Sequence, residues 1–248
     1  MKEKEMIFGI RAVIEAVEAG KDIDKVLVKR ELQGELFREL QSVLQQYDIP
    51  MQKVPLERID RITRKNHQGV IAFTSAVTYQ KLEQIIPCLY EDGKNPFILV
   101  LDGITDVRNF GAVARTCEVA GVNAIVIPAR GSVTVNADAI KTSAGALHTL
   151  PVCREQSLRE AVQFLKNSGI KTIAATEKAA VNYTTTDMSV PVALVMGSED
   201  AGISPDILKI CDELVMIPQF GAIQSLNVSV AAGVLIYEVV RQRTNSNQ

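Results

Sequence analysis

The side chains with the most chemical content fall in three short polar loops within an otherwise apolar C-terminal half. In the first, LDGITDVRNFGAVARTCEVAG, a helix begins near Asn109, and Arg115 lies two positions from both Val113 and Cys117. Helical spacing turns Arg115 away from the face those residues share with Ala120, which leaves a guanidinium to hold an anion or to sit in solvent. Asn109 also suits an N-cap, and Gly111 and the alanines suit close helix packing. In the second loop, VALVMGSEDAGIS, glycines on both sides of Glu199 let the backbone approach a ligand. Ser204, Pro205 and Asp206 read as the start of the next helix, and Glu199 stands outside that account. The third loop, IPQFGAIQSLNVSVAAG, sets Gln219, Gln224, Ser225, Asn227 and Ser229 in an uncharged segment. Such groups need partners, either backbone turns and an N-cap by Ser225 or Asn227, or the polar edges of a ligand.

The elements that must position these loops alternate strand and helix. Pro96 to Asp102 (PFILVLD) is a continuous apolar run, followed by the helical GAVARTCEVAG and a second run, NAIVIP. This is a β-α-β unit of a parallel sheet. Further runs at 170–175, 192–196 and 213–218, with helical stretches around 157–167 and 205–211, extend it to a mostly parallel sheet covered on both faces. A last helix is expected over roughly 227–241, apolar almost all round before the basic and polar RQRTNSNQ. All three loops follow apolar runs, and in open α/β sheets ligands bind at the carboxyl ends of strands. No GxGxxG, GxxxxGKS/T, HExxH or GxSxG pattern anchors a dinucleotide, phosphate-loop, zinc-protease or hydrolase reading.

The first 75 residues read as a separate small α/β unit: helical spacing over 7–19 and 35–47, and strands at KVLVK (25–29) and 70–73. Residues 76–94, closing on Gly93, Asn95 and Pro96, read as a connection with a short helix inside it, so that 95–248 forms the second domain. Arg58, Arg61, Arg64 and Lys65 make a local positive stripe, since three-residue spacing keeps the arginines along one side of a helix or turn.

With 248 residues, 27 basic and 29 acidic side chains and a net charge of −2, the chain has no global basic footprint, and any binding of nucleic acid must be local. Cys88, Cys117, Cys153 and Cys211 form no CxxC pair and have only His67 and His148 as companions. No metal site is expected, and the thiols read as reduced and largely packed. MKEKEMIFGIRAVIEAVEAG lacks the apolar core of a secretory signal, which implies a cytoplasmic protein. The uncharged stretch from Leu214 to Tyr237 is interrupted by Pro218, Gly221 and several polar residues, so it reads as buried or ligand-facing and not as a membrane span.

Taken together and in order, NFGAVARTCEVAGV, VMGSEDAGIS and IPQFGAIQSLNVSVAAGVLIYEVVRQR resemble the three motifs of the SpoU (TrmH) family of RNA ribose methyltransferases. IFGIRAVIEAV and KNHQGVIA resemble the ancillary domain of the subgroup that methylates a guanosine ribose in 23S ribosomal RNA. Related tRNA enzymes and antibiotic-resistance methyltransferases share that architecture.

The resemblance implies a SPOUT-type α/β fold: a C-terminal parallel sheet with a deep trefoil knot around S-adenosylmethionine, preceded by a small α/β RNA-binding domain. It implies a cofactor pocket at Thr176, Gly197, Ile217, Ser225 and Leu226, and catalytic membership for Asn109, Arg115, Glu199, Ser225 and Asn227. The reaction it implies is in-line attack of a ribose 2′-hydroxyl on the sulfonium methyl. A guanidinium stays protonated at neutral pH, so Arg115 is expected to clamp a phosphate and raise hydroxyl acidity instead of acting as a base.

RNA is the expected partner, 23S ribosomal RNA before tRNA. Arg58, Arg61, Arg64 and Lys65 would contact phosphates, and Asn66, His67 and Gln68 base or ribose edges. With 5% aromatic residues and no Trp, recognition by base stacking is not supported. The resemblance also implies a homodimer packed through the C-terminal domain. The competing reading is an RNA-binding assembly factor of the same fold that transfers no methyl group.

Overall fold

The computed structural model describes residues 6–223 and 225–246, so Gln224 lies outside the described residues. The chain forms two compact units, one running to Thr78 and taking in Thr134–Asn136, the other holding Tyr79–Val133 and continuing from Ala137.

In the first unit, strands β1 (Met6–Phe8), β2 (Ile23–Lys29), β3 (Met51–Val54) and β4 (Val70–Thr74) form a sheet in the order β1-β4-β2-β3. The β2–β3 pair is parallel and the others antiparallel. Alternation along the strands divides the core. Val26, Val28, Val70 and Ala72 pack with α1 (Ile10–Glu18) and α2 (Glu35–Gln46), while Leu27, Ile71 and Phe73 pack with Val54 and with Ile59 of α3 (Leu56–Ile62). Helical spacing predicts α1 from Ile7, but Met6–Phe8 is a strand paired with β4, and Gly9, at φ 89°, turns the chain into the helix.

The second unit holds β5 (Phe97–Asp102), β6 (Ala124–Pro128), β7 (Val152–Glu155), β8 (Lys171–Ala175), β9 (Val181–Asn182), β10 (Val192–Gly197) and β11 (Glu213–Met216). They form one parallel sheet in the order β7-β6-β5-β10-β8-β11-β9. One face carries α4 (Leu82–Glu91), α7 (Leu158–Asn167) and α8 (Pro205–Leu208), whose apolar residues meet Ile98, Val100, Val126, Ala174 and Val195. On the other face, α5 (Val107–Val119) packs with α6 (Ala137–Thr142) and with α9 (Val228–Ser246), which also reaches β10. The sheet is therefore covered on both sides, as its unbroken apolar strands require. Within the expected connection, α4 buries Leu82, Ile86 and Leu89 in this second core.

All four thiols are free; Cys117 and Cys153 are buried, Cys211 is partly buried, and Cys88 is exposed where a packed thiol was expected. Burial pushes the Cys153 thiol up to about 12. Among the described residues no helix is long and apolar enough to cross a membrane, and no cluster of three or more His, Cys, Asp or Glu could hold a metal ion.

Candidate active site at the carboxyl edge of the parallel sheet

The sheet reverses its order of growth between β5 and β10. From β5 the chain proceeds outward through β6 and β7, whereas β10 leads to β8, β11 and β9 on the other side. Asp102 and Gly197 end these neighbouring strands in register. A crevice outside the carboxyl ends of strands at such a reversal is where open α/β sheets bind ligands.

The loop after β10 is bent back tightly over the strand end. Gly202 N donates to Ser198 O at 2.9 Å, and Ala201 N to Ser198 Oγ at 3.2 Å. A Cβ on Gly197 would lie 2.0 Å from the Gly202 carbonyl carbon, so this position admits only glycine without backbone movement. Ser204 stands at the N-cap position of α8 as its sequence suggests, but its side chain makes no capping bond. Instead its N–H donates to Asp102 Oδ2 at 2.7 Å, which ties the loop to the end of β5.

Asn109 does not cap α5. Asp106 does, accepting from Arg108 N and Asn109 N, both at 2.8 Å. The Asn109 amide is thereby left for the site: its Nδ2 donates to Glu199 Oε1 at 3.4 Å and its Oδ1 accepts from Asn227 Nδ2 at 3.1 Å. Asn227 Nδ2 also donates to Glu199 Oε1 at 2.7 Å, and Val228 N donates to the same oxygen at 3.0 Å. Asn227 Oδ1 accepts from Ser229 N at 3.0 Å, so Asn227 is the residue that caps α9, and Ser225 is not. Glu199 is exposed, and its Oε2 has no hydrogen-bond partner among the described residues.

Three of the five expected catalytic residues, Asn109, Glu199 and Asn227, therefore form one hydrogen-bonded cluster. Arg115 is exposed on α5, roughly 9 Å along the helix axis from Asn109. It makes no hydrogen bond or ion pair among the described residues and stands apart from the cluster.

Beside the cluster lies a cleft of about 370 Å³. Its walls come from Thr176 after β8, Gly197 at the end of β10, Ile217 and Gln219 after β11, and Ser225 and Leu226 ahead of α9. All five expected pocket residues line it. So do Val228, Ala231 and Leu235 of α9, which sequence reading missed as cleft residues although their spacing places them on one helical face. Asp102 was missed as well, because the last residue of an apolar strand carries no signal of a partner about a hundred positions away.

In the first unit, Arg58 and Arg61 stand exposed on α3 over the buried Ile59, and Arg64, Lys65 and Asn66 are exposed beyond it. The Lys65 ammonium lies 5.6 Å from the Phe8 ring centre. His67 is already engaged: Gly69 N donates to its Nδ1 at 2.9 Å, which leaves Nε2 as the donor to Asp60 Oδ1, also at 2.9 Å. Neither ring nitrogen is free for a base edge. Gln68, at φ 50°, accepts through Oε1 from Ile10 N at 3.3 Å and satisfies the first turn of α1.

The profile of the SpoU rRNA methylase family matches residues 96–237, and that of the RNA 2′-O ribose methyltransferase substrate-binding domain matches residues 6–80. A Bacillus subtilis (strain 168) protein assigned to the TrmH family of tRNA/rRNA methyltransferases, YacO, is 32% identical over 243 residues, covering 98% of this chain and 97% of its own length. The AdoMet-bound rRNA methyltransferase of Sinorhizobium meliloti superposes with a TM-score of 0.61 at 25% identity, over 96% of this chain and 87% of that one. The TrmH/SpoU tRNA-modifying enzyme of A. aeolicus is 30% identical with a TM-score of 0.56, over 67% of this chain and 86% of that one. With three motif loops assembled at one sheet edge and more than half its length matched by the family profile, the chain belongs to the SpoU rRNA methylase family.

Proposed function

We propose that the protein is an S-adenosylmethionine-dependent methyltransferase acting on a ribose 2′-hydroxyl of structured RNA, with a guanosine of 23S ribosomal RNA as its preferred target. The observation that carries this reading is that Thr176, Gly197, Ile217, Ser225 and Leu226 line one cleft together with Glu199, whose carboxylate gathers Asn109 and Asn227. The cleft lies within the roughly 300–1,000 Å³ common for small-molecule sites. Its lining also fits the group chemically, since Ile217, Leu226 and Leu235 suit an adenine face while the backbone exposed at Gly197 suits polar edges. When bound, S-adenosylmethionine supplies a methyl group activated by a sulfonium.

The protein's own contribution is positioning. Glu199 holds the start of α9 and the two asparagine amides in one arrangement, and its free Oε2 accepts from the substrate. Arg115 grips the phosphate beside the target ribose and raises the acidity of the 2′-hydroxyl through its fixed charge. Arg58, Arg61, Arg64 and Lys65 bind RNA phosphates, with Asn66 beside them, while His67 and Gln68 shape the loop that presents them.

Two further features belong to this reading. The chain between β11 and α9 makes the trefoil knot; support comes from β11 lying near one edge of the sheet while α9 packs against α5 and β10 nearer its centre. Two copies pair through the C-terminal unit in the cytoplasm, supported by exposed apolar residues Val230 and Tyr237 on α9 and Val119 on α5. A tRNA substrate is the second reading, favoured by relatives whose names span both RNA classes.

The test is incubation with methyl-labelled S-adenosylmethionine and separate unmodified ribosomal RNA and tRNA fractions. Label in an alkali-resistant 2′-O-methylated dinucleotide from the ribosomal fraction is the expected result, and label only in the tRNA fraction selects the second reading. Failure to bind the cofactor removes the methyltransferase reading in favour of an RNA-binding factor.

A further inference from the structure

The closing segment YEVVRQR of α9 is basic, yet Arg243 turns inward. Its Nη1 donates to Asn95 O at 2.9 Å, and its Nη2 to Pro96 O at 2.9 Å and Val190 O at 2.8 Å. The guanidinium carbon lies 5.2 Å from the Phe97 ring centre, and Nε is buried with no partner among the described residues. Gln242 works beside it, accepting through Oε1 from Met188 N at 2.7 Å and donating through Nε2 to Thr186 O at 3.0 Å and to Glu238 Oε1 at 2.7 Å. Glu238 is itself only 7% exposed and takes two bonds from Arg241.

The carbonyls that Arg243 grips lie just ahead of β5 and β10. The carboxyl end of β10, Gly197, lines the cleft, and that of β5, Asp102, holds the loop after β10 through Ser204 N. At its other end α9 is fixed by the Val228–Glu199 bond, and Val228, Ala231 and Leu235 form part of the cleft wall. A helix is stiff along its axis, and the 16 residues from Val228 to Arg243 span about 22 Å. One guanidinium therefore joins α9 and β10, which line the cleft, to β5, which holds the loop after β10, from the opposite edge of the sheet.

We infer that Gln242 and Arg243 are positioning residues for the cofactor cleft, setting the depth and rotation of α9 and thereby where Val228, Ala231 and Leu235 stand. The inference rests on reading that cleft as the S-adenosylmethionine site. A solvated or RNA-facing arginine would have left its guanidinium exposed; here four donor bonds would be lost with the side chain, including the longer one to Asn95 Oδ1 at 3.4 Å.

The experiment is titration calorimetry with S-adenosylmethionine, well below the unfolding midpoint, on the full chain and on Arg243→Gln, Arg243→Lys and the exposed-surface control Arg159→Gln. Arg243→Gln should bind about tenfold more weakly, a size typical of coupling between separated parts of a fold. Arg243→Lys, which keeps the charge but not the planar fork, should fall between it and the parent, and the control should match the parent. A folded Arg243→Gln protein with the parent's Kd overturns the inference. If that variant does not fold, the decision passes to Arg243→Lys on the same criterion. If the parent itself binds no S-adenosylmethionine, the cofactor reading fails on its own, and amide exchange over 217–231 still decides the positioning claim: faster exchange in the Arg243 variants than in the control supports it, and equal exchange overturns it.

Discussion

Glu199 Oε1 accepts the backbone N–H of Val228 at 3.0 Å, so the carboxylate of one motif loop terminates the first turn of the helix that follows another. A negative charge is stabilised at a helix N-terminus, and here the same oxygen also gathers the amides of Asn109 and Asn227. The bond makes the placement of α9 depend on the loop after β10. In sequence Glu199 is a lone carboxylate between glycines outside the account of the next helix, and the structure gives it an architectural duty.

Glu199→Ala should accordingly lose stability as well as turnover. Removing a helix cap costs about 1 kcal/mol, and leaving the amides of Asn109 and Asn227 without their shared acceptor adds to that. Glu199→Gln keeps an acceptor oxygen and should retain most of the stability while losing the charge that serves the substrate. Urea unfolding alongside single-turnover assays separates the two: equal stability of the alanine variant and the parent would show that the cap contributes nothing.

The pH dependence of stability has a marker at the other end of α9. Hydrogen bonding from Arg241 is the main cause that holds the Glu238 carboxyl below its ordinary 4.5, opposed by burial and aided by Gln242. Because the folded value is depressed, the ionised form stabilises the fold above the unfolded pKa, and that contribution is lost as pH falls through the folded value. Glu238→Gln should therefore be less stable than the parent at pH 7, with the difference closing below about pH 4. Urea midpoints at the two pH values check this, and a difference independent of pH would rule out the charge as its source.

The long apolar strands and the loops after them were legible because burial on both faces leaves an unbroken hydrophobic run, and the three polar segments stand out against it. Short edge strands were not. Met51–Val54 and Val152–Glu155 are partly exposed and too brief for a pattern, and each is fixed by pairing with a strand remote in sequence. Asn109, Glu199 and Asn227 stand out in sequence as polar loop residues, but their mutual contacts do not, since they span 118 positions of chain. For His67 and Gln68 the sequence shows polar residues beside a basic stripe but not the bonds they already make, His67 with Gly69 and Asp60 and Gln68 Oε1 with Ile10.

The basic stripe of the first unit predicts a salt-sensitive RNA affinity. Arg58, Arg61 and Arg64 are exposed and make no ion pair among the described residues, so each is open to a phosphate. Replacing all three by Gln should lower the slope of log affinity against log salt by about 2 to 3, since each phosphate contact contributes roughly 0.7–0.9. Cofactor affinity should stay at the parent's value. An unchanged salt slope would remove the stripe from the RNA interface.

Arg115 is the sharpest test of how the reaction is assisted. It is exposed, apart from the Asn109–Glu199–Asn227 cluster, and permanently charged, so it suits a phosphate clamp better than a proton acceptor. A clamp of this kind depends on the planar fork of a guanidinium, which a lysine replaces with a single point charge. Arg115→Lys should therefore lower turnover by about a hundredfold, comparable to losing one preorganised donor to a developing oxyanion, with cofactor affinity unchanged. The pH–rate profile should keep its shape, because no titrating group has been removed. Full turnover in the lysine variant would show that charge alone suffices, and a profile displaced on its acid limb would return proton transfer to this residue.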